Sequence, residues 1–83
     1  MKPVLMYTKT VCPYCIFAKK LLKSKGVPFK EVNLSGQHKQ LQELVQKTGM
    51  RTVPQIFVGD HFVGGFDELS TSNQSGELDR LLK

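Results

Sequence analysis

From Pro3 to Thr8 apolar residues run almost without a break, which predicts a strand covered on both faces, with helices above and below the sheet. The rhythm then changes to a helical one. Thr10 is a candidate N-cap, and Pro13 suits a first helical turn, where its missing N–H is no loss. Phe17, Ala18, Leu21 and Leu22 form an apolar stripe, with Lys19, Lys20 and Lys23 on the other side and Gly26 as the C-terminal cap. Val27–Leu34 alternates as a second strand, with Pro28 tolerated near its start. "SGQHKQ" marks a turn into a second amphipathic helix, carried by Leu41, Leu44 and Val45 and closed by Gly49. Residues 53–58 predict a third strand, Gly59-Asp60 a tight hairpin turn, and residues 61–65 a fourth strand. Residues 67–75 predict a short helix and loop, and Leu78, Leu81 and Leu82 a last helical stretch.

The order is therefore β-α-β-α-β-β-α. A helix joins the first two strands, so they are expected to be parallel with a right-handed crossover. The hairpin makes the last two antiparallel. The predicted fold class is α/β: a small four-stranded mixed sheet with helices on both faces. At 83 residues the chain supports one modest core, so a single domain over 1–83 is expected.

Composition narrows the function classes. The chain is 40% hydrophobic and 23% charged, as an ordinary soluble domain is. No apolar run approaches the roughly 18 residues that cross a bilayer, and the first residues lack the pattern of a cleaved leader. The expectations are no membrane association and a cytoplasmic location. The formal charge is +5, and residues 1–30 hold seven lysines and no acid. No interleaving of aromatic and basic residues along a strand accompanies them, so no nucleic-acid partner is expected. A solvated helix face and lysines near a helix C-terminus account for the charge. A positive half beside a reactive thiol would also attract anionic thiols and acidic proteins.

The chemistry concentrates at Cys12 and Cys15, the only cysteines, in "TKTVCPYC". A permanent staple is a poor reading, because cytosolic thiols stay reduced and a bridge between near neighbours constrains little chain. A metal site needs about four ligands, and besides the cysteines only His38 and His61 are offered, neither at finger-like spacing. A cluster shared by two chains stays open. A reactive pair fits best. Cys12 falls at the start of a helix, where unpaired N–H groups and the helix dipole favour a thiolate and can bring a pKa near ~8.5 down to ~3.5–7.5. Cys15, one turn deeper, is expected to be more buried and to act as the resolving thiol, with Cys12 as the exposed nucleophile. Tyr14 between them points outward as a contact surface.

"YTKTVCPYC", "RTVPQIFVGDHFVGGFDEL" and the order of elements between them resemble, over essentially the full length, a glutaredoxin of the small bacterial dithiol type. The resemblance implies a thioredoxin-like fold and a glutathione-dependent thiol–disulfide oxidoreductase that reduces protein disulfides and protein–glutathione mixed disulfides. Glutathione is then a co-substrate, with no tightly bound cofactor and no metal. The implied partners are glutathione and disulfide-containing or glutathionylated proteins, ribonucleotide reductase or similar reductases among them, and the protein itself is expected to be a monomer. Pro54 is implied to be cis, leaving the Val53 N–H and C=O to pair with glutathione's cysteinyl part. Lys9 and Thr52 are candidates for the glycine carboxylate. Gly65 and the N–H groups of Phe66 and Asp67 are candidates for the γ-glutamyl carboxylate, the Asp67 side chain for the ammonium, and Tyr14 for a wall of the groove. Two departures from common family patterns stand out. Phe66 replaces an extra cysteine found in some members, and Leu41 occupies a position often polar. The rival readings are a redoxin reduced by thioredoxin reductase and an iron–sulfur cluster carrier dimer bridged through Cys12, which Pro13 disfavours.

Overall fold

In a computed structural model, which describes all 83 residues, a four-stranded sheet carries three helices on one face and one on the other. The strands are β1 (Val4–Thr8), β2 (Lys30–Asn33), β3 (Gln55–Val58) and β4 (His61–Gly64), in the order β2-β1-β3-β4. β1 and β2 are parallel, while β1/β3 and β3/β4 are antiparallel, as the connections require. The helices are α1 (Pro13–Ser24), α2 (His38–Thr48), α3 (Phe66–Ser75) and α4 (Glu77–Leu82). None is long and apolar enough to cross a membrane.

Alternation along β1 builds two cores. Val4 and Met6 face α1, α3 and α4, and join Ala18, Leu22, Ile56, Val58, Leu69, Leu78 and Leu82 in a cluster of ten buried residues completed by Val27. Leu5 and Tyr7 face the other way and pack on a smaller cluster of Leu34, Leu44 and Phe57 under α2. Lys47 closes that side by lying 5.2 Å from the centre of the Phe57 ring.

Several boundaries differ from the sequence expectation. The second strand begins at Lys30, not Val27. Val27 instead ends α1: its N–H reaches the Leu22 carbonyl at 3.0 Å, the Gly26 N–H reaches Lys23, and its side chain folds back into the larger core. Val53 and Pro54 lie before β3, and Gly65 is the N-cap of α3 and no part of β4. Residues 66–75 form a full ten-residue helix, where a short helix and loop were expected. Its serines bond back along the helix, Ser72 Oγ to Leu69 O at 2.9 Å, while Leu69, its one fully buried side chain, and the half-buried Phe66 anchor it on the core. Gly76, at φ +84°, breaks the chain into α4. Finally, Phe17 is 47% exposed and outside the core; the inner stripe of α1 is Cys15, Ala18 and Leu22.

Candidate active site

The N-cap of α1 is Cys12, not Thr10. Its backbone is extended, and its Sγ accepts the Cys15 N–H at 3.1 Å. One sulfur thus does the work that an oxygen does at most N-caps. Pro13 opens the helix, as the sequence predicts. Cys12 and Cys15 form a disulfide with Cα atoms 5.2 Å apart. Cys15 is the more buried, at 2% exposure, as expected. Cys12 was expected to be exposed, yet in the disulfide it is only 9% accessible, because its Sγ sits 3.8 Å from the Val53 carbonyl across the site.

Two loops flank the disulfide. On one side the Thr10 N–H donates to Ser35 Oγ at 2.8 Å, and Asn33 Oδ1 accepts from the Ser35 N–H, so exposed polar groups tie residues 9–12 to the turn after β2. On the other side a wholly buried Gln55 shapes residues 50–54. Its Nε2 donates to the Met50 and Thr52 carbonyls at 2.7 and 3.0 Å, and its Oε1 accepts from the Thr48 hydroxyl at 2.9 Å. The Val53–Pro54 peptide bond that follows is cis. The third wall is the start of α3. There the Gly65 N–H donates to Glu68 Oε1 at 2.7 Å, half of a capping box, while the first N–H groups of the helix have no partner within it. Glu68 reaches back over Gly64, where a Cβ would lie 2.8 Å from its carboxylate, so only glycine fits.

Together these walls enclose an open groove of about 370 Å³, lined by Tyr14, Met50, Thr52, Val53, Pro54, Gly65, Phe66, Asp67 and Glu68. Seven of the eight residues proposed from the sequence to contact glutathione meet here. Lys9 is exposed on its loop and is not in the lining. Met50, Glu68 and the positioning residue Gln55 escaped the sequence reading. Only the capping-box spacing from Gly65 to Glu68 offered a signal for one of them. Leu41 packs on the smaller core, away from the groove.

The family of glutaredoxins, as described by its sequence profile, matches residues 4–63. The chain is 49% identical to a glutaredoxin of Pseudomonas aeruginosa over 82 residues, covering 99% of this chain and 98% of that one. The chain belongs to the glutaredoxin family. It is also 46% identical to glutaredoxin 3 of Escherichia coli K12 over the full length of both chains. Among solved structures it is similar to a buckwheat glutaredoxin–glutathione complex, with a TM-score of 0.92, 33% identity, and coverage of 98% of this chain and 76% of that one.

As a family member it has the thioredoxin-like fold, and Cys12–Cys15 is the redox-active disulfide of a thiol–disulfide oxidoreductase. The two histidines of this glutaredoxin are surface residues outside any cluster of metal-ligating side chains. One ion pair ties the sheet to the redox helix: Lys19 Nζ and the Thr8 hydroxyl both meet Glu31 Oε2 at 2.7 Å. The Lys19 ammonium, then the Thr8 hydroxyl, hold the Glu31 carboxyl below its ordinary value.

Proposed function

We propose that this glutaredoxin uses glutathione to reduce protein disulfides and protein–glutathione mixed disulfides, as a cytoplasmic monomer. The observation that carries the reading is the groove itself. Tyr14, Thr52, Val53, cis Pro54 and the start of α3 converge beside the Cys12 sulfur, and a glutaredoxin with the same fold forms a glutathione complex. In this reading the Val53 backbone pairs with the cysteinyl part of glutathione. The Phe66 and Asp67 N–H groups bind the γ-glutamyl carboxylate, and the Asp67 carboxylate binds the ammonium. Thr52 and Lys9 serve the glycine carboxylate, with Lys9 swinging in from its exposed loop.

The Cys12 thiolate attacks the glutathione sulfur of a mixed disulfide. The bond to the protein sulfur breaks, and that sulfur leaves as a thiolate and takes up a proton. A second glutathione thiolate attacks the Cys12–glutathione bond, releasing glutathione disulfide and the Cys12 thiolate. With a protein disulfide, Cys12 attacks first and Cys15 then displaces the substrate. Two electrons pass to the substrate, and the Cys12–Cys15 disulfide remains for two glutathiones to reduce. The test is reduction of a small glutathione mixed disulfide by glutathione. Cys12→Ser abolishes turnover and Cys15→Ser retains most of it. A wild type that ignores glutathione overturns the reading.

A further inference from the structure

The redox helix has two apolar stripes, and the fold uses only one. Cys15, Ala18 and Leu22 face the core. Pro13, Ile16 and Phe17, at the i, i+3, i+4 spacing of a second face, point away from it and continue into Lys20, Lys23 and Ser24. Of the five exposed large hydrophobic residues in the chain, four are Val11, Tyr14, Ile16 and Phe17. They fall within seven residues on the loop and first turns that carry the disulfide. Surface apolar residues are ordinarily scattered, and a contiguous group marks an interaction site. This group is also ordered: Tyr14, Phe17 and Phe66 pack ring on ring with centroids 5.8 to 6.2 Å apart. Ile16 and Phe17 lie outside the groove, so they add nothing to a small ligand held there.

Charge identifies the occupant. Lys19 and Lys25 are neutralised by Glu31 and Asp79, whereas on the outer stripe Lys20 and Lys23 make no ion pair, Lys23 adding only a longer-range attraction to Glu31. An apolar strip next to the reactive sulfur, followed by unpaired lysines, complements a segment with the same order of chemistry. We propose that the outer face of α1 docks an extended, cysteine-bearing segment of an acidic substrate protein. At about 1.5 Å of helix rise per residue, Ile16 and Phe17 lie roughly 7 Å along the axis from Cys12, and Lys20 roughly 12 Å. At about 3.3 Å per residue, an extended segment reaches the first distance in about two residues and the second in about four. The segment therefore carries an aliphatic or aromatic side chain about two residues from its cysteine and carboxylates one or two residues further. The proposal rests on Cys12 as the attacking thiol and is independent of glutathione.

The test uses the fully reduced protein in single turnover, without glutathione. Its substrates are the symmetric disulfide of the peptide Glu-Glu-Leu-Ala-Cys-Ala-Leu-Glu-Glu, that of Gln-Gln-Ser-Ala-Cys-Ala-Ser-Gln-Gln, and hydroxyethyl disulfide. Cys12 attacks, Cys15 resolves, and two peptide thiols form for each protein disulfide. The wild type reduces the acidic apolar peptide about fivefold or more faster than the polar one. Ile16→Ser and Lys20→Gln each remove most of that preference while reducing hydroxyethyl disulfide at the wild-type rate. Lys39→Gln, which removes the same charge from α2, keeps it. Equal rates for the two peptides overturn the proposal. So does a Lys39→Gln loss as large as that of Lys20→Gln, which reports net charge alone, or an equal slowing of hydroxyethyl disulfide, which reports the thiol. If glutathione fails to re-reduce the spent protein, the function proposed above falls, and the peptide ranking still decides the docking surface.

Discussion

The two loops that flank the disulfide are held by opposite means. Residues 9–12 are tied down by Ser35 and Asn33, exposed groups that trade hydrogen bonds with water at little cost. Residues 50–54 are held from inside, by a glutamine with no solvent exposure and all its polar atoms engaged. The difference follows from what each loop presents. The 50–54 loop offers backbone groups at Val53, which a ligand can use only if they stay in one place. The 9–12 loop carries the sulfur, which α1 already fixes through the Cys15 N–H. A frame made of buried hydrogen bonds stands where, in the proposed function, the backbone itself is the recognition element.

This contrast breaks first at Gln55. Gln55→Leu leaves the Met50 and Thr52 carbonyls without their buried donor, and costs about 2–4 kcal/mol in urea denaturation. In steady state it raises KM for a glutathione mixed disulfide more than it lowers kcat, because the Val53 edge is displaced while Cys12 is not. Proportionate losses in both would show that the loop acts only through stability.

A smaller effect sharpens the other side, where Glu31 joins β2 to the redox helix. Its folded carboxyl titrates below the ordinary value of 4.5, so its bond to Lys19 stabilises fully at neutral pH. That stabilisation is lost as the pH falls from 4.5 through the lower folded value. Glu31→Gln is therefore less stable than wild type at pH 7, and the gap closes under acid in parallel pH titrations of urea midpoints. A gap independent of pH would mean the ion pair contributes nothing. The least effect belongs to Ser35→Ala. An exposed hydrogen bond to the Thr10 N–H is worth no more than about 0.5 kcal/mol, and turnover stays within about twofold of wild type.

The same contrast explains what the sequence made legible. Periodicity exposed the strands, the hairpin and the first two helices, because each places apolar residues at a regular interval. It misread α3, whose serine-rich polar run carries a single deeply buried leucine, and it put Phe17 in the core because a second apolar face mimics an inner one. In the site, the motif residues were readable since their chemistry is unusual for their place. Two cysteines at a helix start speak for themselves, whereas the Thr-Val-Pro turn became readable only through the resemblance to the family. Gln55 was invisible: within a strand pattern a buried amide looks like any alternating polar position, and only its three partners, brought from Thr48, Met50 and Thr52, reveal it. Lys9 shows the reverse, a sensible residue for an anion that the folded loop leaves outside the groove.

Because Cys12 caps α1 with its own sulfur, the helix needs no separate capping side chain for its first-turn N–H. Thiolate, intramolecular disulfide and mixed disulfide all keep that atom at the same position in the chain. The atom that changes bonds during the chemistry is thus the atom that holds the start of the helix in the disulfide form.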